Sequence, residues 1–457
     1  MRKLIVLAAF CAATNALHAQ NTDIESLAGL LFNFGNPGAR ALGMGGAFIG
    51  LADDASAVEA NPAGLTILRK PEVSLELRNN EEQQFLTTSG TYPDVMRTGF
   101  SLRNHIVQFT FASVVYPLNN FVIGGYYHEP LRNQVSGEVL PAFDPLTGSL
   151  VRNTPNFYLP RNGPPVSRAE CDAIRARTND PFACLEYTLY PFVSTLDLKE
   201  RTLGFVGAYK VRDVSFGLAV RYQRLTEVAT SADYNPATFE LTSLRVQAAG
   251  HSPTAQRSEN KVAVTAGMKW MPTEKIGVGA VYKQGPRFPT TTQVAEESTG
   301  FEFVNIGNTT FHVPDIYGAG VALRPIPVVT LTSDVVRVKY SNLSDKFYAF
   351  NEDFNGDYKV SDATELHLGA EYFIRTNVPV ALRAGWWHDP AHSLEYRGPL
   401  TSPERVAAAM LFPKGTSRSH QSVGAGMAWP WFEIDTACDW SKNYLVVSLS
   451  MVKRFEP

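Results

Sequence analysis

The chain has 457 residues and a formal net charge of −3 at pH 7, and only 19% of its residues are charged. Its length fits two or three soluble domains or one large barrel, and the near-neutral balance gives no electrostatic basis for binding nucleic acid. The low charged fraction, together with 34 glycines, 27 phenylalanines and 18 tyrosines, suits β-structure better than an ordinary soluble domain.

The N-terminus has the pattern of a secretory signal peptide. Met1 and two basic residues precede the apolar run LIVLAAFCAA, and a region of small residues ends at Ala19. We place the cleavage after Ala19, although Leu17 departs from the usual small residue. The apolar run is too short to cross a bilayer as a helix, and no later run approaches the required length. We therefore expect residues 1–19 to direct export, and we expect no transmembrane helix.

A segment rich in glycine and alanine follows, GARALGMGGAFIGLADDASAVEANPAGL at residues 38–65. A nucleotide-binding loop is excluded because Phe48 stands where the third glycine of that motif belongs, and no strand precedes the segment. An ordinary surface loop remains an alternative. A small-residue segment ahead of a long β-region predicts instead a plug, at residues 20–66, that fills the interior of a barrel.

These residues also resemble a known family. GARALGMGGAFIGLADDAS followed by NPAGL is similar to the start of the FadL/TodX outer-membrane transporters of long-chain fatty acids and hydrocarbons. Further segments resemble strands of that family in the same order, namely VPDIYGAGVALRP, TLTSDVVRVKYS and VALRAGWWHDP. The resemblance implies an N-terminal hatch inside a 14-stranded barrel, with Asn61, Pro62 and Ala63 as its hallmark and as part of the gate. The alternative for these three residues is an ordinary turn, since proline fixes φ and removes a donor.

After the hatch, apolar and polar residues alternate with a period of two along the whole chain. In VSFGLAVRYQ, for example, the residues from Val214 to Tyr222 alternate with small and polar ones. One face of each strand is thus apolar, as expected where a barrel faces lipid. The pattern predicts fourteen strands, at residues 72–78, 104–116, 121–129, 199–211, 214–228, 259–271, 276–284, 315–324, 328–342, 364–374, 378–388, 418–429, 431–440 and 443–455.

The connections decide between a soluble sandwich and a membrane barrel. Short links alternate with long ones, which is typical of outer-membrane barrels with short periplasmic turns and long extracellular loops. The link at Ser441-Lys442 departs from this rhythm because it is short where a long one is expected. The chain therefore predicts an all-β fold, a 14-stranded antiparallel transmembrane barrel at residues 67–457 with an N-terminal hatch in its lumen.

The third predicted strand contains two adjacent glycines, Gly124 and Gly125. In the family that the chain resembles, an opening in the wall lies at a kink of this strand, and paired glycines would weaken the ladder as such a kink requires. The alternative is that the glycines make room for the hatch. Among inward polar residues we cannot select ligand contacts, so these stay unknown.

Two cysteines lie close together in a polar stretch, Cys171 and Cys184. In an oxidising compartment we expect them to form a disulfide that staples a long loop. Cys438 lies within a strand pattern and is expected to be small and buried or lipid-facing.

One long loop resembles a calcium-binding loop. Asp353, Asn355 and Asp357 have the D-x-N-x-D spacing, and Asp362 could supply a further carboxylate. Tyr358 replaces the turn glycine, however, and a threonine stands where a bidentate acid is expected. A solvated acidic loop is the alternative, and apart from this possible structural calcium we expect no cofactor.

The histidines are scattered and lie beside no recognisable nucleophile motif, so we expect no enzymatic activity. The resemblance implies passive uptake of a hydrophobic small molecule, a long-chain fatty acid or a hydrocarbon, by a monomer in contact with outer-membrane lipids. The alternative is a structural or assembly barrel that transports nothing, of the kind found in secretion systems. Neither the substrate nor its route of release, lateral or periplasmic, can be read from the sequence.

Overall fold

The computed structural model describes residues 35–87, 99–139, 156–160, 166–188, 192–233, 245–249, 257–296, 304–344, 356–400, 414–442 and 444–456, together with Arg405 and Ala409. Fourteen strands form the wall: β1 (Glu72–Thr87), β2 (Gly99–Leu118), β3 (Phe121–Val139), β6 (Phe192–Val211), β7 (Val214–Asp233), β9 (Arg257–Thr273), β10 (Ile276–Lys283), β13 (Ile316–Ile326), β14 (Val329–Val338), β16 (Ala363–Ile374), β17 (Val380–Asp389), β19 (Arg418–Trp429), β20 (Phe432–Ser441) and β21 (Tyr444–Arg454).

The sheet closes on itself. Each wall strand pairs antiparallel with the next, and the last strand, β21, pairs with β1 from Glu72 opposite Arg454 to Glu82 opposite Tyr444. Closure leaves no unpaired edge among these strands, which is the condition for placing a sheet in a lipid environment. The predicted 14-stranded antiparallel barrel is therefore confirmed.

Side chains alternate between the two faces of the wall. The outward apolar side chains are strongly exposed, for example Phe205 (73%), Val107 (71%) and Val262 (63%). Inward neighbours such as Ser215 and Thr265 are buried although they are polar. An exposed apolar outside around a polar inside is the arrangement of a membrane barrel.

Short connections gather at one end of the barrel, here called the turn end. They comprise residues 119–120, 212–213, 274–275, 327–328, 375–379 and 430–431. The chain enters and leaves the wall at the same end, where Phe455 N donates to Pro71 O (2.9 Å). The opposite end, with the long connections, is called the loop end. The connection at Ser441-Lys442 lies there and is short, as the sequence indicated.

Several elements at the loop end were not predicted. Three strands extend the wall sheet or pair with it: β8 (Arg245–Ala249), β11 (Arg287–Glu296) and β12 (Val304–His312). Two further pairs form small sheets of their own: β4 (Asn156–Pro160) with β5 (Cys184–Thr188), and β15 (Tyr358–Val360) with β18 (Leu394–Tyr396). The loop end is thus structured well beyond the wall.

A disulfide staples one of these outer units. Cys171, on the helix α3 (Arg168–Thr178), is joined to Cys184 at the start of β5, with a Cα–Cα distance of 5.4 Å. Tyr158 is buried together with the two cysteines, and Ile174 packs against this small cluster. Cys438 is a free, half-buried thiol on β20. Among the described residues no helix has both the length and the apolar character needed to span a bilayer.

Candidate functional site in the barrel lumen

Residues 35–68, here called the luminal segment, lie inside the barrel. They contain the short helices α1 (Ala39–Gly43) and α2 (Ala57–Ala60) and a 3-10 helix, Pro62–Ile67. Gly45 and Gly46 follow α1 with φ of 65° and 78°, a left-handed conformation that suits glycine. Most of the segment is buried by the wall around it. The boundaries predicted for the signal, 1–19, and the hatch, 20–66, remain predictions, because residues 1–34 lie outside the described part of the chain.

Glycines on the inner face of the wall let this backbone approach closely. A Cβ at any of eight of them would come within 3.0 Å of an atom of the luminal segment. The eight are Gly217, Gly267, Gly277, Gly279, Gly318, Gly320, Gly369 and Gly385. They belong to six different strands, so the segment is packed against the wall on many sides. The small residues of the segment and the glycines of the wall together allow the two backbones to pack closely.

Asn61 fastens the segment to the wall and to itself. Its amide nitrogen donates to Ile49 O and to Met268 O on β9, both at 3.1 Å, while its Oδ1 accepts from Ala63 N (3.2 Å). Asn61 has no exposed surface, so each of these bonds replaces one to water. Pro62 occupies the first turn of the 3-10 helix, where its missing N–H costs nothing.

A buried ionic network joins the segment to the wall nearer the turn end. Arg40 forms a bidentate pair with Glu371 (2.9 and 3.0 Å) and a further pair with Asp53 (2.6 Å). Arg383 bonds the same Glu371 (2.7 Å) and Asp435 (2.6 Å). Breaking one member of such a buried network leaves an uncompensated charge, which is strongly destabilising. The network therefore opposes displacement of the segment.

Three further inward-facing cations also bind protein groups. Lys269 donates to Leu51 O and Ala52 O of the segment. Arg221 donates to carbonyl groups of the wall, and Arg454 pairs with Glu72 (3.1 Å). These cations thus bind protein groups, which leaves the ligand contacts unassigned.

On the side of the segment nearer the loop end, a polar group gathers around Glu59. Lys283 lies 3.2 Å from its carboxylate, and Tyr126 OH donates to it at 2.7 Å. His128 lies 4.0 Å away on β3. This group anchors α2 to the strands on one side of the lumen.

The opposite side carries an aromatic and histidine array that sequence reasoning missed. His367 donates from Nδ1 to Gly45 O (2.7 Å) and stacks on Trp387. Trp387 also stacks on His420, with ring centroids 3.9 Å apart, and both donate to Asp439. These residues lie on four different strands, so only the strand register brings them together.

Buried apolar side chains form a cluster towards the loop end, here called the apolar cluster. The cluster comprises Leu131, Leu198, Leu225, Phe288, Phe311, Val313, Ile316, Val338, Tyr340, Leu343, Tyr358, Val360, Ala363, Leu394 and Tyr396. A molecule entering from that end meets this cluster before it reaches the luminal segment.

The wall is interrupted between β2 and β3. Their ladder pairs Leu118–Phe111 with Phe121–His128, stops, and resumes at Arg103 opposite Ser136. The ladder between β3 and β6 shifts at the same level, between His128 and Leu131. Glu129 and Pro130 form this irregularity, and proline has no N–H to give to a ladder.

The lateral-opening kink predicted at Gly124 and Gly125 remains a prediction, and this irregularity lies nearer the loop end than those two glycines. Gly124 and Gly125 pair regularly on both sides, with Val115 and Val114 on β2 and with Val206 and Phe205 on β6. A Cβ on Gly124 would meet Val114 O at 2.8 Å, so this glycine is required by close packing within the wall. The sequence signal for the interruption is Pro130.

The candidate calcium loop is described in part. Asp353 and Asn355 lie outside the described residues, and among those described no cluster of acidic, histidine or cysteine side chains is placed to hold a metal. Asp357 pairs with Arg405, and Asp362 with Lys339 (2.6 Å) and Arg337 (3.2 Å). These cations compete with any metal for the carboxylates, and the calcium site remains a prediction.

Asp362 lies outside the wall, just before β16. Burial alone would raise the pKa of its carboxyl, but bonds from Lys339 and from Ser341 hold that pKa at about 2. The charged carboxylate thereby ties the 3-10 helix Tyr340–Ser344 to the wall.

Comparisons with known proteins were made for the whole chain. No protein-family model matches it, and no curated protein sequence matches it. Several solved structures do match the chain. A FadL homologue from Pseudomonas aeruginosa aligns with a TM-score of 0.59 and 14% identity, over 91% of this chain and 98% of that one. The toluene transporter TbuX from Ralstonia pickettii aligns with a TM-score of 0.55 and 13% identity, over 93% of this chain and 100% of that one. The toluene transporter TodX from P. putida gives 0.55 and 12%, over 93% and 100%. At these identities the likeness concerns the fold.

Proposed function

On the premise that the chain has the FadL/TodX barrel fold, we propose that it is an outer-membrane channel for the passive uptake of hydrophobic small molecules. Long-chain fatty acids and hydrocarbons are the substrate classes that we propose. The turn end would then face the periplasm and the loop end the outside. The proposal includes export by the signal at residues 1–19, a monomeric state and the absence of catalysis.

The observation that carries the proposal is the combination of a blocked lumen with an apolar approach to it. The luminal segment is packed against glycines of six strands, which leaves it no loose fit inside the wall. Towards the loop end the lumen is lined by the apolar cluster, which favours apolar over polar solutes. A general porin is disfavoured because polar flux needs an open aqueous channel.

The interruption between β2 and β3 supports a lateral exit. It begins on the loop side of Phe111, which lies about 17 Å from the turn end at the usual rise and tilt of barrel strands. Outward residues along it are apolar and exposed, namely Val107 (71%) and Phe109 (43%). A hydrophobic molecule leaving here would enter lipid without crossing the luminal segment. The Asn61-Pro62-Ala63 turn would then hold the luminal segment in place, so that the lumen stays blocked on the turn-end side of this exit.

A cross-linking experiment tests this route. Ile106 on β2 and Asn133 on β3 are inward-facing residues within the interruption. In a background lacking Cys438, Ile106→Cys/Asn133→Cys would be joined in cells by a cleavable cross-linker that carries two thiol-reactive groups. We expect uptake of labelled fatty acids or toluene to fall on cross-linking and to recover when the reagent is cleaved.

The matched control joins the same strands where their ladder is continuous. Ala112 and Tyr127 are direct partners there, so Ala112→Cys/Tyr127→Cys should not change uptake when it is cross-linked. If both pairs leave uptake unchanged, the lateral route is wrong. If the unmodified protein confers no uptake of any apolar compound, the transport proposal fails and the structural or assembly barrel is favoured.

A further inference from the structure

Four cations form a basic patch on the outside of the wall. Arg132 on β3, Lys199 and Arg201 on β6, and Arg224 on β7 occupy adjacent outward positions. They follow directly on the outward apolar residues of the same strands, such as Leu203 (52% exposed) and Tyr222 (46%). The change from apolar to basic side chains occurs at one level of the wall.

The register places like charges opposite one another. Arg132 is the direct partner of Lys199 across the β3–β6 ladder, and Arg201 is the direct partner of Arg224 across the β6–β7 ladder. Like charges directly opposite in a sheet destabilise it. Two such pairs side by side require compensation.

The acidic side chains of the patch compensate only part of this positive charge. Asp197 pairs with Arg132 (3.0 Å), and Glu129 lies 3.1 Å from Lys199 and 3.6 Å from Arg201. The carboxylate of Glu129 is almost fully buried, whereas the Arg201 side chain is 48% exposed. Arg224 is exposed and has no acidic partner among the described residues. Among the side chains that the structure describes, two carboxylates thus face four cations, and the surplus is at Arg201 and Arg224.

The height of the patch indicates what it meets. Arg201 is about ten residues from the turn at the end of β6, which corresponds to roughly 25 Å along the barrel axis at the usual strand rise and tilt. The apolar band of an outer-membrane barrel is about 25 Å tall. Arg201 and Arg224 therefore lie at the level of lipid headgroups on the loop side.

We propose that the basic patch binds a phosphate group of an outer-leaflet lipid with a phosphorylated headgroup, through Arg201 and Arg224. Guanidinium groups match phosphate oxygens in a bidentate geometry, and an anion between the two arginines removes their mutual repulsion. The apolar residues next to the patch provide the surface for the acyl chains. This inference depends on the membrane placement within the proposed function and concerns a site outside the lumen.

Binding of purified lipid A to the full-length protein in neutral detergent tests the proposal. Diphosphorylated lipid A, enzymatically dephosphorylated lipid A and inorganic phosphate would be compared by native mass spectrometry and titration. We expect Arg201→Gln/Arg224→Gln to weaken binding of the diphosphorylated form about 25-fold, since each basic residue near a lipid surface contributes about fivefold.

Arg337→Gln is the matched control. The Arg337 side chain lies near the loop end and is 46% exposed, which is similar to Arg201. It pairs with Asp362 (3.2 Å), however, and should not contribute to lipid binding. The double variant should unfold at the same temperature as the wild type or higher in detergent without anionic lipid, because a repulsive pair is removed. Its uptake of apolar compounds should be unchanged, which separates this test from that of the proposed transport.

Several results would overturn the proposal. They are equal binding of the diphosphorylated lipid by wild type and double variant, equal binding of the dephosphorylated lipid by the wild type, and binding of inorganic phosphate as tight as that of the lipid. A double variant that loses lipid binding only together with a lower unfolding temperature would also contradict it.

Discussion

At the scale of single residues, Asn61 shows how one side chain holds the interior of the barrel together. It bridges Ile49, Met268 and Ala63, and it is completely buried. Asn61→Ala would remove three hydrogen bonds and leave two carbonyls without this donor, at a cost of about 2–4 kcal/mol. We expect the luminal segment to loosen while the wall stays folded, and single-channel conductance for small ions to rise.

Asn120→Ala is the control for this substitution. Asn120 is exposed in a turn, and the bond that its carbonyl accepts from Lys210 does not involve the side chain. Conductance measured in planar bilayers, with the amount of folded barrel checked on gels, distinguishes the two variants. An Asn61→Ala protein that conducts no more than wild type would show that Asn61 is not needed to keep the segment in place.

The inner glycines make a second residue-scale prediction. In Gly217→Ala the new methyl group would collide with the backbone of Pro62 and Ala63. Backbone atoms cannot give way as a flexible side chain does, so we expect the segment to shift and to become sensitive to protease at residues 35–68. Gly207→Ala on the lipid-facing side should be tolerated, because its nearest neighbour is the Phe121 ring at 3.5 Å. Equal protease resistance of both variants would contradict the close-packed contact.

Whether residues of the candidate site could be identified from the sequence depends on how far apart they lie along the chain. Asn61 and Pro62 are adjacent and form a recognisable motif, so they could be singled out from sequence. His367, Trp387 and His420 are separated along the chain and meet only because consecutive strands have a particular register. Gly124 and Gly125 could be singled out because glycine weakens strands in general, whereas the irregularity at Glu129 and Pro130 is visible only in the register of β3 with β6.

At the scale of elements, the 3-10 helix Tyr340–Ser344 depends on a charged anchor. Asp362 holds it through Lys339 and Ser341 N (3.0 Å), and these bonds lower the pKa of the carboxyl from 3.8 to about 2. A depressed carboxyl pKa stabilises the folded state above the unfolded pKa, and this contribution is lost as pH falls through the folded one. We expect Asp362→Asn to lower the unfolding temperature at pH 5 and the difference from wild type to disappear towards pH 2.

Glu395→Gln provides a comparison for this effect. Glu395 pairs with Arg397, whose side chain is 44% exposed, and exposed pairs of this kind contribute little to stability. Intrinsic fluorescence between pH 5 and pH 2 would follow the unfolding of all three proteins. A difference between wild type and Asp362→Asn that persists at pH 2 would show that the anchor does not act through its charge.

The elements themselves were predictable where lipid imposes a pattern. Each of the fourteen predicted strands overlaps a wall strand, because an apolar outward face alternating with a polar inward face has a period of two. Where a strand extends beyond the membrane, its outward face does not have to be apolar, and the alternation of apolar and polar residues is lost. This explains why β6 begins at Phe192 instead of residue 199, and why β8, β11 and β12 were missed. The disulfide pair was predictable because the two cysteines are close in sequence.

At the scale of the whole molecule, the closed sheet predicts a particular behaviour in detergent. Closure pairs every wall strand on both sides, including β1 with β21, so the barrel should resist sodium dodecyl sulfate until it is heated. We expect the unheated protein to migrate faster on a gel than the heated one, with β-rich circular dichroism in mild detergent. A monomer that dissolves without detergent would contradict the membrane barrel.

The seam between β1 and β21 also bears on how the protein is assembled. The luminal segment is held on both sides of it, since Ala39 N donates to Ser450 on β21 (3.1 Å) and Arg78 on β1 donates to Asn36 O (2.9 Å). These bonds form most directly if the segment already lies inside the wall when the two strands pair. We therefore expect the segment to be in place before the ring closes and to serve as the template on which the wall is wrapped. A barrel from which the segment has been deleted would lose this template, and we expect it to fail in biogenesis before it could act as an open pore.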